Sequence, residues 1–281
     1  MSAPTIDRYA VLGHPVEHSK TPFIHERFAA QTGQALAYGR IPCAPDAFAA
    51  TVRAFAAAGG RGVNVTVPFK FEAPALAARL SERARLAGAA NTLRFDTDGW
   101  SADNTDGVGL VHDITVGAGV PLAGARVLLI GAGGASAGVL GPLIAGRPAQ
   151  LVVANRSPDK AHELVARHRE WAAAHGTDLR AGGLAGCGRA FDVVVNGSAS
   201  SLAGAGIPVA DEVLRPGTLA VDMMYGPAAQ PFLDWAVAHG AHGRDGLGML
   251  VAQAAEAFFF WRGVRPDAAP VLAALRAHMQ G

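Results

Sequence analysis

Short apolar runs that end in polar or glycine-rich turns recur along the second half of the chain. Residues 127–130 form one such run before a glycine turn, and residues 151–154 form another before an Asn-Arg-Ser segment. Apolar runs of this length are typical of buried parallel strands. Further runs at 191–195 and 219–222, with helical stretches between them, indicate a doubly wound parallel sheet. The second half of the chain is therefore predicted to be an α/β domain.

The glycine turn has the composition of a phosphate-binding loop. It reads Gly131, Ala132, Gly133, Gly134 and Ala135, and Ser136 stands where a third spaced glycine is usual. Glycine lets the backbone turn tightly and lets a pyrophosphate approach closely. The following helix presents unpaired N–H groups and a partial positive charge at its N-terminus. The pattern predicts a dinucleotide site.

The segment after the second strand favours NADP over NAD. NAD sites usually carry an acidic residue there, which binds the ribose 2′-OH. Here Asn155, Arg156, Ser157 and Lys160 offer positive charge and hydrogen-bond donors, which suit a 2′-phosphate. The alternative is an exposed helix N-terminus, with Ser157 as its cap and Arg156 in solvent.

Polar residues also follow the predicted strands of the first half. Ser19 and Thr21 lie between a strand near 9–12 and a helix, at the kind of junction where ligands commonly sit. Asn64 and Thr66 share one face of a strand at 62–67, and Lys70 follows, so we expect these three groups to converge on one mouth. The alternatives are that Thr21 is a helix N-cap and that the strand face is merely solvated.

Asp106 ends a polar stretch, Asp-Asn-Thr-Asp, just before a helix predicted over 108–114. It could simply cap that helix. EF-hand loops have a similar composition, but the downstream Glu ligand is missing here, so the stretch does not indicate calcium.

Composition narrows the classes of protein that remain. A length of 281 residues suggests about two domains, and 50% hydrophobic residues allow a large core. A formal net charge of +1 with scattered Lys and Arg does not indicate binding to nucleic acid or to a membrane surface. Two widely spaced cysteines favour neither a disulfide framework nor a zinc site, and the first residues do not resemble a signal peptide, so we expect a cytoplasmic protein. Residues 127–146 are uncharged, but their glycines and Pro142 favour a strand, turn and helix over a membrane span.

Six segments together resemble the shikimate dehydrogenase family. In chain order they are 18–22 (HSKTP), 64–70 (NVTVPFK), 88–92 (GAANT), 103–107 (DNTDG), 131–136 (GAGGAS) and 245–253 (DGLGMLVAQ). The resemblance implies an N-terminal α/β substrate domain at 1–106, to which the C-terminal helices at 247–281 return. It also implies a Rossmann-like NADP-binding doubly wound parallel sheet at 107–246. The implied reaction is reversible NADPH-dependent reduction of 3-dehydroshikimate to shikimate.

The resemblance also implies roles for individual residues. The catalytic pair would be Lys70 and Asp106. The substrate would contact Ser19, Thr21, Thr66, Lys70, Asn91, Asp106, Tyr225 and Gln253. NADP would contact Gly131, Ala132, Gly133, Gly134, Ala135, Asn155, Arg156, Ser157, Lys160, Met223 and Gly246. Ketone reduction needs a hydride donor and a proton donor, and a Lys beside an Asp can give the proton, so we expect no metal.

The family commonly has Ser where Thr21 stands, Arg where Ala137 stands, and a different sequence at Asn196 and the residues after it. Quinate or a related shikimate-like acid therefore remains an alternative substrate. A third alternative is a non-catalytic NADP-binding regulator, which would not need to keep Lys70 and Asp106. We expect the protein to be a monomer or a homodimer.

Overall fold

The computed structural model describes residues 6–198 and 207–280. Contacts between residues divide the chain into two units. Unit 1 is Met1–Gly109 with Leu250–Gly281, and unit 2 is Leu110–Met249. No helix among the described residues has both the length and the apolar character that crossing a membrane requires.

Each unit is built around a six-stranded sheet. The strands of unit 1 are β1 (Asp7–Gly13), β2 (Leu36–Pro42), β3 (Gly60–Val65), β4 (Arg79–Leu80), β5 (Thr92–Arg94) and β6 (Ser101–Asp103), in the order β2-β1-β3-β5-β6-β4. The strands of unit 2 are β7 (Arg126–Ile130), β8 (Gln150–Ala154), β9 (Asp178–Gly182), β10 (Val193–Asn196), β11 (Leu219–Asp222) and β12 (His242–Arg244), in the order β12-β11-β10-β7-β8-β9. All neighbours in the second sheet are parallel. In the first sheet β5 runs antiparallel to β3 and β6.

The α-helices in chain order are α1 (Thr21–Thr32), α2 (Phe48–Ala57), α3 (Glu82–Ala87), α4 (Asp106–His112), α5 (Gly134–Ala145), α6 (Pro158–His175), α7 (Gln230–Ala238), α8 (Leu247–Arg262) and α9 (Ala268–Gln280). A π-helical turn, Asp113–Gly117, continues α4. The region that could have been read as a membrane span is β7, the glycine turn and α5, as the glycines and the proline predicted.

Both sheets bury apolar side chains against helices. In unit 2 the strand residues Leu128, Ile130 and Val194 pack with Phe232 of α7. Because helices cover a parallel doubly wound sheet on both faces, its central strands are apolar throughout, and this is why the pattern of short apolar runs predicted them correctly. In unit 1, Leu12, Val63 and Leu93 form the corresponding core. Phe69, the first residue of the 3₁₀ turn Phe69–Phe71, packs into it.

The structure differs from the sequence analysis at the start of α1 and at two edge strands. Helix α1 begins at Thr21 with Lys20 as its N-cap, so Thr21 is the first helical residue and not the cap. No sequence pattern predicted β9 or β12. Both lie at sheet edges and neither contains a buried residue, so they lack the continuous apolar run of a central strand.

Candidate functional site

The polar segments of unit 1 meet because of strand direction. Strands β1 and β3 are parallel neighbours, so the segments that follow them leave the sheet at the same end, the one at which these two strands finish. This end is called the site edge of unit 1. Strand β5 is antiparallel to β3 and therefore begins at that edge, where Thr92 pairs with Asp103 at the end of β6. The segments around residues 19, 66–70, 91 and 104–106 are consequently brought to one edge.

Lys70 and Asp106 form a buried ion pair at this edge. Lys70 Nζ donates to Asp106 Oδ2 over 2.6 Å, and the two side chains are 14% and 6% exposed. Lys70 is presented by the 3₁₀ turn Phe69–Phe71, and Asp106 is the first residue of α4. The Asp106 side chain is thus directed to Lys70 and does not act as a helix cap. A charge-assisted hydrogen bond of this length fixes both groups in position.

The other oxygen of Asp106 accepts a hydrogen bond from Asn91, whose Nδ2 lies 2.9 Å from Asp106 Oδ1. The same Asn91 nitrogen lies 2.9 Å from Thr105 Oγ1 and 3.1 Å from Gln253 Oε1. Gln253 reaches the cluster from the second turn of α8, about 160 residues further along the chain. Four of the residues that the sequence singled out are therefore in one hydrogen-bonded cluster. Thr105 is a further member that the sequence reasoning missed, although it lies inside the Asp-Asn-Thr-Asp stretch.

A second set of buried charges holds the turn that carries Asp106. Arg83 of α3 donates to both oxygens of Asp103, over 2.7 and 2.5 Å, and to Glu256 of α8 over 2.8 Å. Burial alone would lower the pKa of Arg83, but the hydrogen bonds with Asp103 and Glu256 raise it above its ordinary value. Arg265 also pairs with Glu256. No local sequence signal points to this network, because its members are far apart along the chain.

Ser19 and Thr21 face each other after β1. Their hydroxyl oxygens are 2.9 Å apart, and Thr21 is buried. The Arg40 guanidinium donates twice to the carbonyl oxygen of Ser19, over 3.1 and 2.6 Å, and so holds this segment against β2. Thr66 follows β3 and packs so closely on Gly13 that a Cβ added there would lie 2.3 Å from Thr66 Cγ2. These hydroxyls form a polar surface that suits an acid with several hydroxyl groups.

Asn64 does not belong to this surface, and the prediction that it joins Thr66 and Lys70 at one mouth was wrong. It is buried, its Oδ1 accepts from Tyr38 and its Nδ2 donates to Thr92. The alternation of the strand placed Asn64 and Thr66 on one face, but β3 ends at Val65, so Thr66 lies beyond the regular strand.

In unit 2 the glycine turn lies where the strand order reverses, since β8 and β10 flank β7 and the chain returns from β9 to β10. Ligands of open α/β sheets bind at such a point. Gly131 has φ +107°, and a Cβ there would lie 3.0 Å from the backbone of Gly197. Gly133 is the N-cap of α5, so no side chain accepts from the first N–H groups of the helix. The buried Ser136 takes the place of the third glycine, with its Oγ 3.5 Å from the carbonyl oxygen of Gly197.

The turn after β8 carries the residues expected at a ribose 2′-phosphate. Arg156, Ser157 and Lys160 are exposed, and within the described part of the chain neither cation forms an ion pair. Ser157 is the N-cap of α6, as the alternative interpretation proposed, but its side chain makes no capping hydrogen bond. Asn155 Nδ2 donates to the carbonyl oxygen of Ser157 and shapes the turn. Free cations, an uncommitted hydroxyl and a glycine N-cap fit NADP.

Met223 and Gly246 lie against each other after β11 and β12. A Cβ on Gly246 would lie 2.4 Å from the carbonyl oxygen of Met223, and a Cβ on Gly197 would lie 3.0 Å from Met223 Sδ. Met223 therefore borders the turn that follows β10, close to the glycine turn. Tyr225 follows on the same segment, as the N-cap of a 3₁₀ helix.

A buried ion pair supports this edge of unit 2. Asp113, in the π-helical turn, accepts from Arg244 through both oxygens, over 2.6 and 2.8 Å. The hydrogen bond with Asp113 raises the pKa of Arg244. Gly248 approaches Asp113 so closely that a Cβ would lie 1.8 Å from its Oδ1, which explains glycine at this position. Sequence reasoning missed this pair. Within residues 6–198 and 207–280, no group of three or more His, Cys, Asp or Glu side chains is placed to hold a metal ion.

Comparison with known proteins bears on what these two polar regions do. Three family models match, the shikimate dehydrogenase substrate binding domain over residues 11–93, shikimate / quinate 5-dehydrogenase over 115–203, and the shikimate 5'-dehydrogenase C-terminal domain over 246–276. A protein of Methylibium petroleiphilum named shikimate dehydrogenase (NADP(+)) is 68% identical, over 98% of this chain and 96% of its own length.

Solved structures agree in fold along nearly the whole chain. Shikimate 5-dehydrogenase from Thermus thermophilus, in complex with NADP(H) and shikimate, is 31% identical with a TM-score of 0.84, covering 97% of this chain and 99% of that one. The Ael1 enzyme from Pseudomonas putida is 45% identical with a TM-score of 0.85, covering 96% and 98%. With identity and coverage this high, the chain belongs to the shikimate dehydrogenase family.

Proposed function

We propose that this chain is an NADP-dependent shikimate dehydrogenase, which interconverts 3-dehydroshikimate and shikimate. The observation that carries the proposal is the 2.6 Å pair of Lys70 and Asp106, joined by Asn91 and Gln253, in a chain whose relatives bear that name. NADPH supplies the hydride of this reaction when it is bound. The part left to the protein is to bind the acid, orient it and move one proton.

Lys70 is proposed to hold and transfer that proton. As a ketone is reduced, its oxygen gains negative charge, and an ammonium group beside it both stabilises the charge and donates a proton. Asp106 fixes the ammonium through one carboxylate oxygen and is itself fixed by Asn91 through the other. In the oxidative direction the same lysine, after losing its proton, accepts one from the substrate hydroxyl.

The hydroxyls and amides around this pair are proposed to bind the substrate. Ser19 and Thr21 would hold its carboxylate, while Thr66, Asn91 and Gln253 would hold its ring hydroxyls, with Tyr225 as a further contact. Side chains of this type supply donors and acceptors without adding charge, which suits a small acid with several hydroxyls. A site built to pair with hydroxyls strongly rejects analogues that lack them, because its own buried polar groups are then left unpaired.

NADP is proposed to bind unit 2 at the glycine turn. The N–H groups that open α5 would face the pyrophosphate, and Asn155, Arg156, Ser157 and Lys160 would surround the 2′-phosphate. Met223 and Gly246 would line the remainder of the site, because they pack beside the turns after β10 and β11.

The test is a crossed assay in which shikimate or quinate is combined with NADP⁺ or NAD⁺ and the reduced-nicotinamide absorbance is followed. We expect the highest kcat/KM for shikimate with NADP⁺. In Lys70→Ala, kcat should fall far more than the affinity for NADP⁺, which fluorescence titration measures separately. An unchanged kcat in Lys70→Ala would rule out the proton-transfer role. If the wild type turned over none of the four combinations of acid and cofactor, the proposed function would be ruled out.

Quinate is the second candidate substrate. Thr21 stands where Ser is common in the family, and its buried methyl group reshapes the surface proposed to hold the substrate carboxylate. Thr21→Ser should therefore shift the ratio of kcat/KM for quinate to that for shikimate, whereas a change confined to stability would leave the ratio unaltered.

We further propose that the enzyme works in the cytoplasm as a monomer or a homodimer. Both cysteines, Cys43 and Cys187, are free thiols, which suits a reducing compartment. Cell fractionation and multi-angle light scattering would test the two statements.

A further inference from the structure

A row of buried hydrogen bonds in unit 1 extends from the proposed catalytic pair into the core. Tyr38 OH lies 2.7 Å from Asn64 Oδ1, Asn64 Nδ2 lies 3.0 Å from Thr92 Oγ1, and Thr92 Oγ1 lies 3.0 Å from Asn91 Oδ1. All four side chains are buried. The row ends at Asp106, to which Asn91 donates.

Every donor in this row points the same way. The amide oxygen of Asn64 can only accept, so Tyr38 is the donor. The amide nitrogen of Asn64 can only donate, so the Thr92 hydroxyl accepts from it and has its own hydrogen left for Asn91 Oδ1. Asn91 must then turn its NH₂ group toward Asp106. The backbone N–H of Thr105, 2.8 Å from Asn91 Oδ1, independently requires the same orientation.

The far end of the row is anchored by packing. The Tyr38 ring stacks on His25 with the ring centroids 4.3 Å apart and an angle of 6° between the planes. A ring held in this way has little rotational freedom, so its hydroxyl is fixed relative to Asn64. Nothing in the mechanism proposed above uses Tyr38, Asn64 or Thr92, yet a buried row of polar groups is costly unless each member is satisfied.

We propose that Tyr38, Asn64 and Thr92 are positioning residues for the reaction, acting through Asn91. They hold the amide of Asn91 with its NH₂ group on Asp106 and so keep the carboxylate aligned with Lys70. This inference rests on the function proposed above. Because Tyr38 and Thr92 act in series on one group, their effects on the reaction are not independent.

Two substitutions at Thr92 separate positioning from packing. Thr92→Val keeps the shape and removes the hydroxyl, and we expect kcat/KM for shikimate to fall about tenfold, which corresponds to roughly 1.4 kcal/mol of transition-state stabilisation. Thr92→Ser keeps the hydroxyl and loses the methyl group, and kcat/KM should stay within about twofold of the wild type. If packing were the only role of Thr92, Val would be tolerated better than Ser, and that result would overturn the proposal.

The series arrangement gives a second, sharper test. Tyr38→Phe should lower kcat/KM for shikimate, and the double variant with Thr92→Val should be no worse than Thr92→Val alone. If the reductions in kcat/KM multiplied in the double variant, the two residues would act independently and the proposal would be contradicted. The KM for NADP⁺ should be unchanged throughout. Thr32→Val is the matched control, because Thr32 also donates from a threonine hydroxyl in unit 1, over 2.7 Å to the carbonyl oxygen of Phe28, but lies outside the row.

A readout that does not need activity separates this proposal from the proposed function. If the wild type turns over neither acid, the proposed function fails. The positioning role of Tyr38 and Thr92 is then tested on the side-chain amide NMR signals of Asn91. Those signals should shift in Tyr38→Phe and in Thr92→Val but not in Thr32→Val. Unchanged Asn91 signals in both Tyr38→Phe and Thr92→Val would overturn the proposal, whichever substrate the enzyme uses.

Discussion

Acidification from about pH 7.5 to about pH 5 should destabilise unit 1 through one buried histidine. His25 of α1 is fully buried, and neither of its ring nitrogens has a hydrogen-bond partner among the described residues. Its ring lies against Tyr38, with Phe28 at its edge and Phe258 and Trp261 close by. An imidazolium in this aromatic pocket would lose its hydration, and the nearby Asn64 amide would offset only part of that loss.

The size of the effect follows from the pKa. Burial lowers the pKa of His25 to about 3, and the neighbouring Asn64 amide opposes this only in part. In the unfolded chain the pKa is about 6.5, so below that pH the unfolded state binds a proton that the folded state does not. The stability contributed by neutral His25 is therefore complete above about pH 6.5 and is lost as the pH falls toward 3. At pH 5 the gap is about 1.5 pH units, and at 1.36 kcal/mol per unit the loss is about 2 kcal/mol.

Urea unfolding at the two pH values measures this loss. Hydrogen exchange measures opening segment by segment, so peptides from β1 should report unit 1 by itself. His25→Phe keeps an aromatic ring and removes the titrating group, so its stability should change by about 2 kcal/mol less than that of the wild type over the same pH range. Phe28→Leu is the matched control, because it weakens the same cluster and should keep the full pH dependence. Equal pH dependence in wild type and His25→Phe would refute the reasoning.

Three further predictions concern charge and backbone geometry. Arg83→Met leaves the buried Asp103 without its cation and Glu256 with Arg265 alone, and should lower the free energy of unfolding of unit 1 by about 2 to 3 kcal/mol, since the arginine is itself partly exposed; urea unfolding measures this, and Arg83→Lys should recover only part. Gly131→Ala should cost about 1 to 3 kcal/mol because its φ is positive and its Cβ would meet backbone, whereas Gly133→Ala, whose Cβ meets nothing, should unfold like the wild type. Arg156→Gln should raise the KM for NADP⁺ about tenfold or more and leave the KM for NAD⁺ unchanged, as steady-state kinetics would show.

The sequence was most informative where one local pattern decides the structure. The strands β7, β8, β10 and β11 and their doubly wound parallel arrangement follow from apolar runs with helical stretches between them. The edge strands β9 and β12 could not be predicted in this way. Backbone pairing with one neighbouring strand defines them, and such pairing leaves no apolar pattern in the sequence.

The proposed site was predicted in part for a similar reason. Lys70, Asp106 and Asn91 could be proposed from the sequence because they lie in recognisable motifs, which strand direction brings to one end of the sheet. Thr92 and Tyr38 could not be identified, because their role depends on which acceptor each hydroxyl meets, and hydrogen bonds between distant strands leave no periodic signal. The alternative interpretation of Thr21 as an N-cap was wrong, since its hydroxyl pairs with Ser19 and the N-cap is Lys20.

The turn at residues 103–106 shows how unit 1 makes a buried carboxylate usable. Asp103 is paired with Arg83, and the Asn104 side chain donates to the carbonyl oxygen of Ala89 over 3.0 Å. Thr105 donates through its N–H to Asn91, and Asp106 is left to Lys70. Every residue of the turn is thus hydrogen-bonded to a residue outside it.

A proton donor must be aligned before the reaction begins, because alignment that had to be found during each turnover would add to the barrier. Asp103 at the start of the turn is paired with Arg83, and Asp106 at its end is paired with Lys70. The network of Arg83, Asp103 and Glu256, which no local sequence pattern indicates, therefore anchors the first residue of the turn whose last residue pairs with Lys70.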